Sequence, residues 1–317
     1  LRIGFFGTPA FAVPSLAALA AAGHEIAGVV TQPDRPRGRG QHVMPEAVKL
    51  KAVDLGLPVL QPERLGDPAF LRSLEALALD LAVVVAYGRI LTPTVLAVPK
   101  GGFINVHASL LPRWRGAAPV HRAILAGDQR TGVTIMRVVQ ALDAGNILMT
   151  DDTEIGANET SVELGVRLAQ AGAALLVRAL DALARGVVTE RAQDEALVTY
   201  AARLERRESR LDWRRPAGVV HNHIRGLQPW PMAAGVLGGS RVTFVRSEVA
   251  STQAAGGVPG SIVAVRPDAL DVAASPGVVR LTDLQPEGRR AMAVRAFLGS
   301  RTVSAGDRFE PLPLTAP

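Results

Sequence analysis

Over its first 185 residues the chain alternates short apolar runs with stretches of helical periodicity, and this alternation limits the fold more than any other feature. "RIGFFG", "EIAGVVT", "LPVLQP" and "LAVVVAYG" have strand length, while "PSLAALAAAGH", "PEAVKLKAVDLG" and "PAFLRSLEALALD" between them repeat apolar residues at helical spacing. Strand and helix alternating in this way predict a doubly wound α/β domain, a mostly parallel Rossmann-like sheet with helices on both faces. "GFINVH" and "TGVTIMRVV" add two strands, and "ETSVELGVRLAQAGAALLVRALDALARG" reads as a long amphipathic helix ending at Gly186.

From residue 187 the pattern changes. "VVTERAQDEALVTYAARLERRESRLDWRRPA" is dense in charge and weak in periodicity, as a connection between domains is. Beyond it "AGVVHNHIRGL" reads as a helix, and "RVTFVRSEV", "GSIVAV" and "GVVRLTDLQP" as short strands parted by glycine and proline. Such strands fit a smaller β-barrel of the oligonucleotide-binding (OB-like) type, although composition does not separate it from a sandwich. The expected division is an α/β domain over residues 1–188, a linker over 189–206 and the barrel over 207–317.

Charge follows the same division. Residues 206–317 carry 15 arginines against 9 acids, an excess of six that equals the net charge of the whole chain. A basic face there suits a polyanion such as nucleic acid, and a merely solvated arginine-rich surface fits the count equally well.

Several classes of chemistry are excluded or disfavoured. With no cysteine there are no disulfides, thiolate nucleophiles or cysteine-bound metals. The opening "LRIGFFGTP" lacks the long apolar run of a secretory signal, and acidic residues interrupt "LEALALDLAVVVAYG", so a soluble cytoplasmic protein without a membrane partner is expected. "GFFGTPAF" lacks the glycines of a dinucleotide fingerprint, and no G-x-x-x-x-G-K-[ST] occurs. "HNH" has the wrong spacing for two ligands on one helical face, so no metal is expected.

The positive signals lie on strand ends and loops. In "GGFINVHASLLPRWRGAAPV" the strand alternation puts Asn105 and His107 on one face, at the carboxyl end where open α/β sheets bind ligands. Histidine exchanges protons near neutral pH, and an asparagine amide donates to an oxygen gaining negative charge. A lone strand histidine is more often structural; the polar partner two positions away is what raises this one. In "ALDAGNIL", Asp143 reads by itself as an ordinary turn aspartate beside Gly145, and paired with His107 as the group that orients the imidazole. "TQPDRPRGRGQHVMPEAVK" is a poor helix or strand. It is either a mobile solvated loop or one whose Arg35, Arg37 and Arg39, with Gly38 and Gly40 between and after them, grip phosphates.

These strings, together with "GTPAFAVPSL", "VTQPDRPRGRG", "VVVAYGRIL", "SLLPRWRGAAP", "TGVTIM", "DEALVTY", "QPWPM" and "LTDLQPEGRRAM", resemble the formyltetrahydrofolate-dependent formyltransferases along most of the chain. The resemblance implies 10-formyltetrahydrofolate as formyl donor and the α-amino group of methionine esterified to initiator tRNA as acceptor. It places the family's catalytic residues on Asn105, His107 and Asp143. It also implies a folate site bordered by Ser109, Leu110, Leu111 and Pro112, with Tyr87, Gly88, Arg89, Ile90 and Leu91 lining the pterin pocket. The segment with Arg35, Arg37, Gly38, Arg39 and Gly40 resembles the family's insertion that reaches the tRNA acceptor end, and residues 207–317 its tRNA-binding barrel. No obligate protein partner is implied, and a monomer is expected.

Two other functions remain to be separated from this one. Folate chemistry with a small acceptor, glycinamide ribonucleotide or an amino sugar nucleotide, needs neither the arginine loop nor a basic second domain. An RNA-binding module on a degenerate catalytic fold does not need Asn105, His107 and Asp143 together.

Overall fold

In the computed structural model, which describes residues 1–37, 42–254 and 256–313, the opening run becomes strand β1, Arg2–Gly7, buried from its second residue onward. The chain forms two compact units, one of residues 1–116, 131–153 and 165–200, the other of residues 117–130, 154–164 and 201–317.

After β1 come α1 (Val13–Ala21), β2 (Glu25–Val30), β3 (Arg35–Arg37), β4 (His42–Met44), α2 (Ala47–Asp54), β5 (Val59–Leu60), α3 (Pro68–Ala76), β6 (Leu81–Val85), α4 (Pro93–Leu96) and β7 (Phe103–His107). Next are β8 (Arg115–Gly116), α5 (Pro119–Ala126), β9 (Arg130–Arg137), β10 (Ile147–Glu154) and α6 (Ser161–Ala184). The main sheet of the first unit has the order β10-β9-β7-β6-β1-β2-β5. Strand β1 pairs in parallel with β2 and β6, β6 with β7 and β2 with β5, whereas β7 meets β9 antiparallel. The mostly parallel sheet expected from the sequence is therefore present, with antiparallel pairing next to β7.

Every residue of β6 is buried, and the rings of Phe6, Tyr87 and Phe103 meet edge-on, Phe6 lying 5.6 Å from Tyr87 and 5.0 Å from Phe103. Such edge-to-face contacts suit the ring quadrupoles, so this corner of the core is specified as well as merely apolar. Helix α6 runs close to β7: a Cβ on Gly172 would stand 2.8 Å from Val106. That approach assigns Val106 to the helix-covered face, and by strand alternation Asn105 and His107 to the other.

The arginine-bearing segment corrects the expectation that it is a poor strand. Its described parts, β3 and β4, pair antiparallel with Arg35 opposite Met44, Pro36 opposite Val43 and Arg37 opposite His42. Cross-pairing satisfies backbone groups that a solvated loop would leave to water, and it starts where Asp34 is held by Lys49 at 2.5 Å and Gln61 at 2.8 Å. The Lys49 bond, followed by that of Gln61, holds the Asp34 carboxyl below its ordinary value. Gly38, Arg39 and Gly40 lie outside the described residues.

The second unit carries β11 (Tyr200–Ala201), whose Tyr200 belongs to the first, then α7 (Ala217–Gly226), β12 (Ala234–Leu237), β13 (Ser240–Ser251), β14 (Ile262–Val265) and β15 (Leu270–Ala273). It ends with β16 (Val278–Pro286), β17 (Met292–Ala293), α8 (Val294–Ser300) and β18 (Glu310–Pro311). Its sheet has the order β14-β15-β16-β13-β12-β18, with β17 beside β16. The long β13–β16 pair shifts register at three points, and such bulges add bend and twist, curling the antiparallel sheet into a half-barrel, the form in which the small OB-like barrel expected from the sequence is present. Inside, Trp213, Phe244 and Phe309 pack against one another with ring centroids 5.2–6.1 Å apart.

Candidate active site

His107 ends β7 and is almost wholly buried. Its Nε2 lies 2.8 Å from the carbonyl oxygen of Trp114. A carbonyl only accepts, so Nε2 carries a proton and donates, and proton exchange is left to Nδ1. That nitrogen stands 3.7 Å from Asp143 Oδ2. The structure thus brings together two residues 36 positions apart in the chain.

Asp143 sits in the loop between β9 and β10 with φ of +46°, a left-handed conformation uncommon for a residue with a Cβ. Three hydrogen bonds hold it there. The Gly116 amide donates to Oδ2 at 2.8 Å, and the Gln193 side-chain amide donates to the Asp143 carbonyl at 2.7 Å and the Gly145 carbonyl at 2.8 Å. Gly145 has no room for a side chain, since a Cβ would lie 1.9 Å from the Arg137 carbonyl oxygen.

Asn105 is half-buried beside them on β7, opposite Val84 of β6 and Met136 of β9. Its side-chain amide has no hydrogen-bond partner among the described residues, which leaves donor and acceptor free. An amide held on a rigid strand with its N–H uncommitted is suited to stabilise negative charge on a substrate oxygen.

The segment from Ser109 to Pro112 is clipped to the sheet by one side chain. Thr134 Oγ1 donates to the Ser109 carbonyl at 2.7 Å and accepts from the Leu111 amide at 3.1 Å. The buried Ser109 hydroxyl itself donates to the Arg113 carbonyl at 2.6 Å. Leu110 is half-buried, while Leu111 and Pro112 line a cleft of about 320 Å³ with Ile147, Arg191, Gln193 and Leu197.

The segment from Tyr87 to Leu91 follows β6, the neighbour of β7. The Tyr87 ring is in the core, where burial pushes its phenol pKa up, and its carbonyl accepts from Thr8 Oγ1 at 3.0 Å and Gln32 Nε2 at 2.8 Å. Gly88 has φ of +83°, Arg89 turns back to the carbonyls of Pro62 and Glu63, Leu91 is buried and Ile90 is 87% exposed. Ile90 is therefore the side chain of this segment most open to a ligand. Among the described residues no group of three histidines or acids is gathered as a metal site.

On the basic second unit, several arginines prove to be internal fasteners. Asp271 accepts from Arg266 and Arg280 at 2.8 and 2.7 Å, and Arg225 donates to the carbonyls of Gly156 and Glu159. Arg241, Arg289, Arg290 and Arg295 are exposed. Sequence reasoning missed the groups that hold the acid, Gln193, Arg115 and the Gly116 amide, and the Trp114 carbonyl that holds the histidine. Backbone donors and acceptors have no sequence signature, and Gln193 is fifty residues from the carbonyl it binds.

Residues 1–180 match the formyl transferase family model and residues 203–302 that of the formyl transferase C-terminal domain. Methionyl-tRNA formyltransferase of Methylococcus capsulatus is 47% identical over 309 residues, 98% of this chain and 99% of the relative. Its namesake from Moorella thermoacetica is 45% identical over 307 residues, 97% and 98% of the two chains. Among solved structures, a sugar 3N-formyl transferase with dTDP and 5-N-formyl-THF superposes with a TM-score of 0.67 at 16% identity, over 92% of this chain and 99% of its own. That likeness speaks for the fold. With more than half of its length matched by the family model and its relatives aligned along nearly all of it, the chain belongs to the formyl transferase family.

Proposed function

We propose that the chain transfers the formyl group of 10-formyltetrahydrofolate to the α-amino group of methionyl initiator tRNA, producing N-formylmethionyl-tRNA. The observation that carries the reading is the approach of Asp143 to His107 beside the uncommitted amide of Asn105. The near full-length identity to proteins named methionyl-tRNA formyltransferase supports the choice of acceptor. In this reading the pterin ring of the donor lies by the exposed Ile90 and the backbone from Tyr87 to Leu91, and the segment from Ser109 to Pro112, whose last two residues line the cleft, borders the folate.

The amine's lone pair forms the new C–N bond to the formyl carbon, the bond to the folate nitrogen breaks, and one proton passes from the amine to that nitrogen. Asn105 donates to the formyl oxygen as it gains negative charge. His107 takes and returns the proton at Nδ1, and Asp143 stabilises the cation while that proton is held. Nucleophile and electrophile are both supplied by substrates, so positioning accounts for much of the acceleration.

Residues 1–188 form the transfer domain in this reading, 189–206 the linker and 207–317 the tRNA-binding domain. Arg35, Arg37 and Arg39, with Gly38 and Gly40, meet the acceptor end, and the exposed arginines of the second unit meet the tRNA backbone. The enzyme acts as a cytoplasmic monomer. The test is formyl transfer to methionyl initiator tRNA, run beside methionyl elongator tRNA, free methionine, glycinamide ribonucleotide and an amino sugar nucleotide. Formylation confined to the initiator tRNA is expected; transfer to a small acceptor alone overturns the tRNA reading.

A further inference from the structure

We propose that Gln193 is a positioning residue for the transfer reaction, acting through Asp143. The proposal rests on the catalytic reading of Asp143. The Gln193 amide nitrogen donates to the carbonyl oxygens of Asp143 and Gly145, at 2.7 and 2.8 Å. Those bonds span the two residues on either side of Ala144 and hold the turn in which Asp143 keeps its left-handed backbone.

The amide is itself oriented. Arg115 Nε donates to Gln193 Oε1 at 2.9 Å, which forces the NH₂ end toward the turn, because a guanidinium has only donors to offer. Arg115 is 3% exposed and its remaining nitrogens bond Glu195, at 2.8 Å from Nη2 and 3.4 Å from Nη1. The next residue, Gly116, donates its amide to Asp143 Oδ2. These bonds therefore close a circuit: Arg115 to Gln193, Gln193 to the Asp143 carbonyl, the Asp143 carboxylate to Gly116, and Gly116 back to Arg115 through the chain. Asp143 is gripped at its backbone and its carboxylate by one structure, and the angle at which it meets His107 is set by both grips.

Glutamine is the side chain this place requires. Asparagine is one methylene shorter, and glutamate has no hydrogens for two carbonyls. If Gln193 served only to staple the loop for folding, its loss would act on stability and leave the chemistry of a folded enzyme alone. If it aims Asp143, its loss acts on turnover and only while Asp143 is present.

A double-mutant cycle separates the two. Gln193→Met, which keeps length and bulk, and Gln193→Glu, which keeps an oxygen for Arg115, are each made in the wild-type and the Asp143→Ala chains. kcat and KM are then measured with 10-formyltetrahydrofolate and methionyl initiator tRNA. In the wild-type background kcat falls about 10- to 100-fold, with KM for the tRNA within about two-fold, the scale expected when a catalytic group is misaimed. In the Asp143→Ala background the same changes move kcat less than about two-fold. Should the Met variant not fold, the Glu variant carries the test. Equal losses in both backgrounds, or normal kcat in the Gln193 variants while Asp143→Ala is impaired, overturn the proposal. Normal turnover of Asp143→Ala itself overturns the catalytic reading beneath it, a pattern distinct from either.

Discussion

One oxygen of Asp143 faces two partners: Oδ2 lies 3.7 Å from Nδ1 of His107 and accepts the Gly116 amide at 2.8 Å. The amide holds the carboxylate whether or not the imidazole is there, so removing His107 leaves Asp143 in place. The imidazole is tied independently, through Nε2 to the Trp114 carbonyl. Two separately anchored groups aimed at one another make a unit for moving a proton.

His107→Ala and Asp143→Ala are each expected to lower kcat by about 10²–10⁴-fold, with tRNA affinity nearly unchanged. Because the two act as a unit, the double variant loses little more than the worse single one. Steady-state kinetics with a direct tRNA-binding measurement checks this, and normal turnover in either single variant removes that residue from the mechanism.

Gly145→Ala is expected to destabilise the chain by about 1–3 kcal/mol, the cost of forcing atoms into a packed site. The added Cβ would meet the Arg137 carbonyl at 1.9 Å, so the loop must move. Since that loop carries Asp143, kcat falls as well. Urea unfolding followed by kinetics on the folded fraction measures both, and an unchanged unfolding midpoint contradicts the close approach.

In the second unit the Arg246 guanidinium, and after it the Thr160 amide, hold the Glu163 carboxyl at about 2 against its usual 4.5. A depressed folded pKa contributes stability above the unfolded value, and that contribution fades as pH falls through 4.5 toward about 2. Both side chains are more than a third exposed, so the pair contributes only about 0.2–1 kcal/mol. Wild type is expected to exceed Glu163→Gln slightly at pH 7, with the gap closing on acidification; denaturant titrations at pH 7, 4.5 and 3 follow it, and a gap independent of pH refutes the assignment.

Replacing Arg35, Arg37 and Arg39 by alanine should weaken use of tRNA while sparing the donor. For each phosphate no longer neutralised, the slope of log affinity against log salt becomes shallower by about 0.7–0.9. A salt titration of tRNA binding reads this directly. An unchanged slope means that these arginines are merely solvated.

The sequence was most legible where periodicity governs. Continuous apolar runs such as "LAVVV" became the buried centre of the sheet, and the alternation in "FINVH" already separated Asn105 and His107 from Ile104 and Val106. The arginine segment reads as unsuited to strands yet forms two, because its β3–β4 pairing depends on two short pieces finding one another rather than on either alone.

By itself, then, the sequence determined the α/β architecture, the polar face at the end of β7, the basic excess of the last third and the motifs that carry the family resemblance. Each of these is local: spacing, alternation and composition act within a few residues. Tertiary structure decided how Asp143 meets the histidine, and what holds that acid. Asp143 approaches His107 only after β9 pairs antiparallel with β7 and its loop is pinned by Gly116 and Gln193. Those bonds join residues 27 and 50 positions apart, partly through backbone groups that every residue possesses, so no local pattern encodes them.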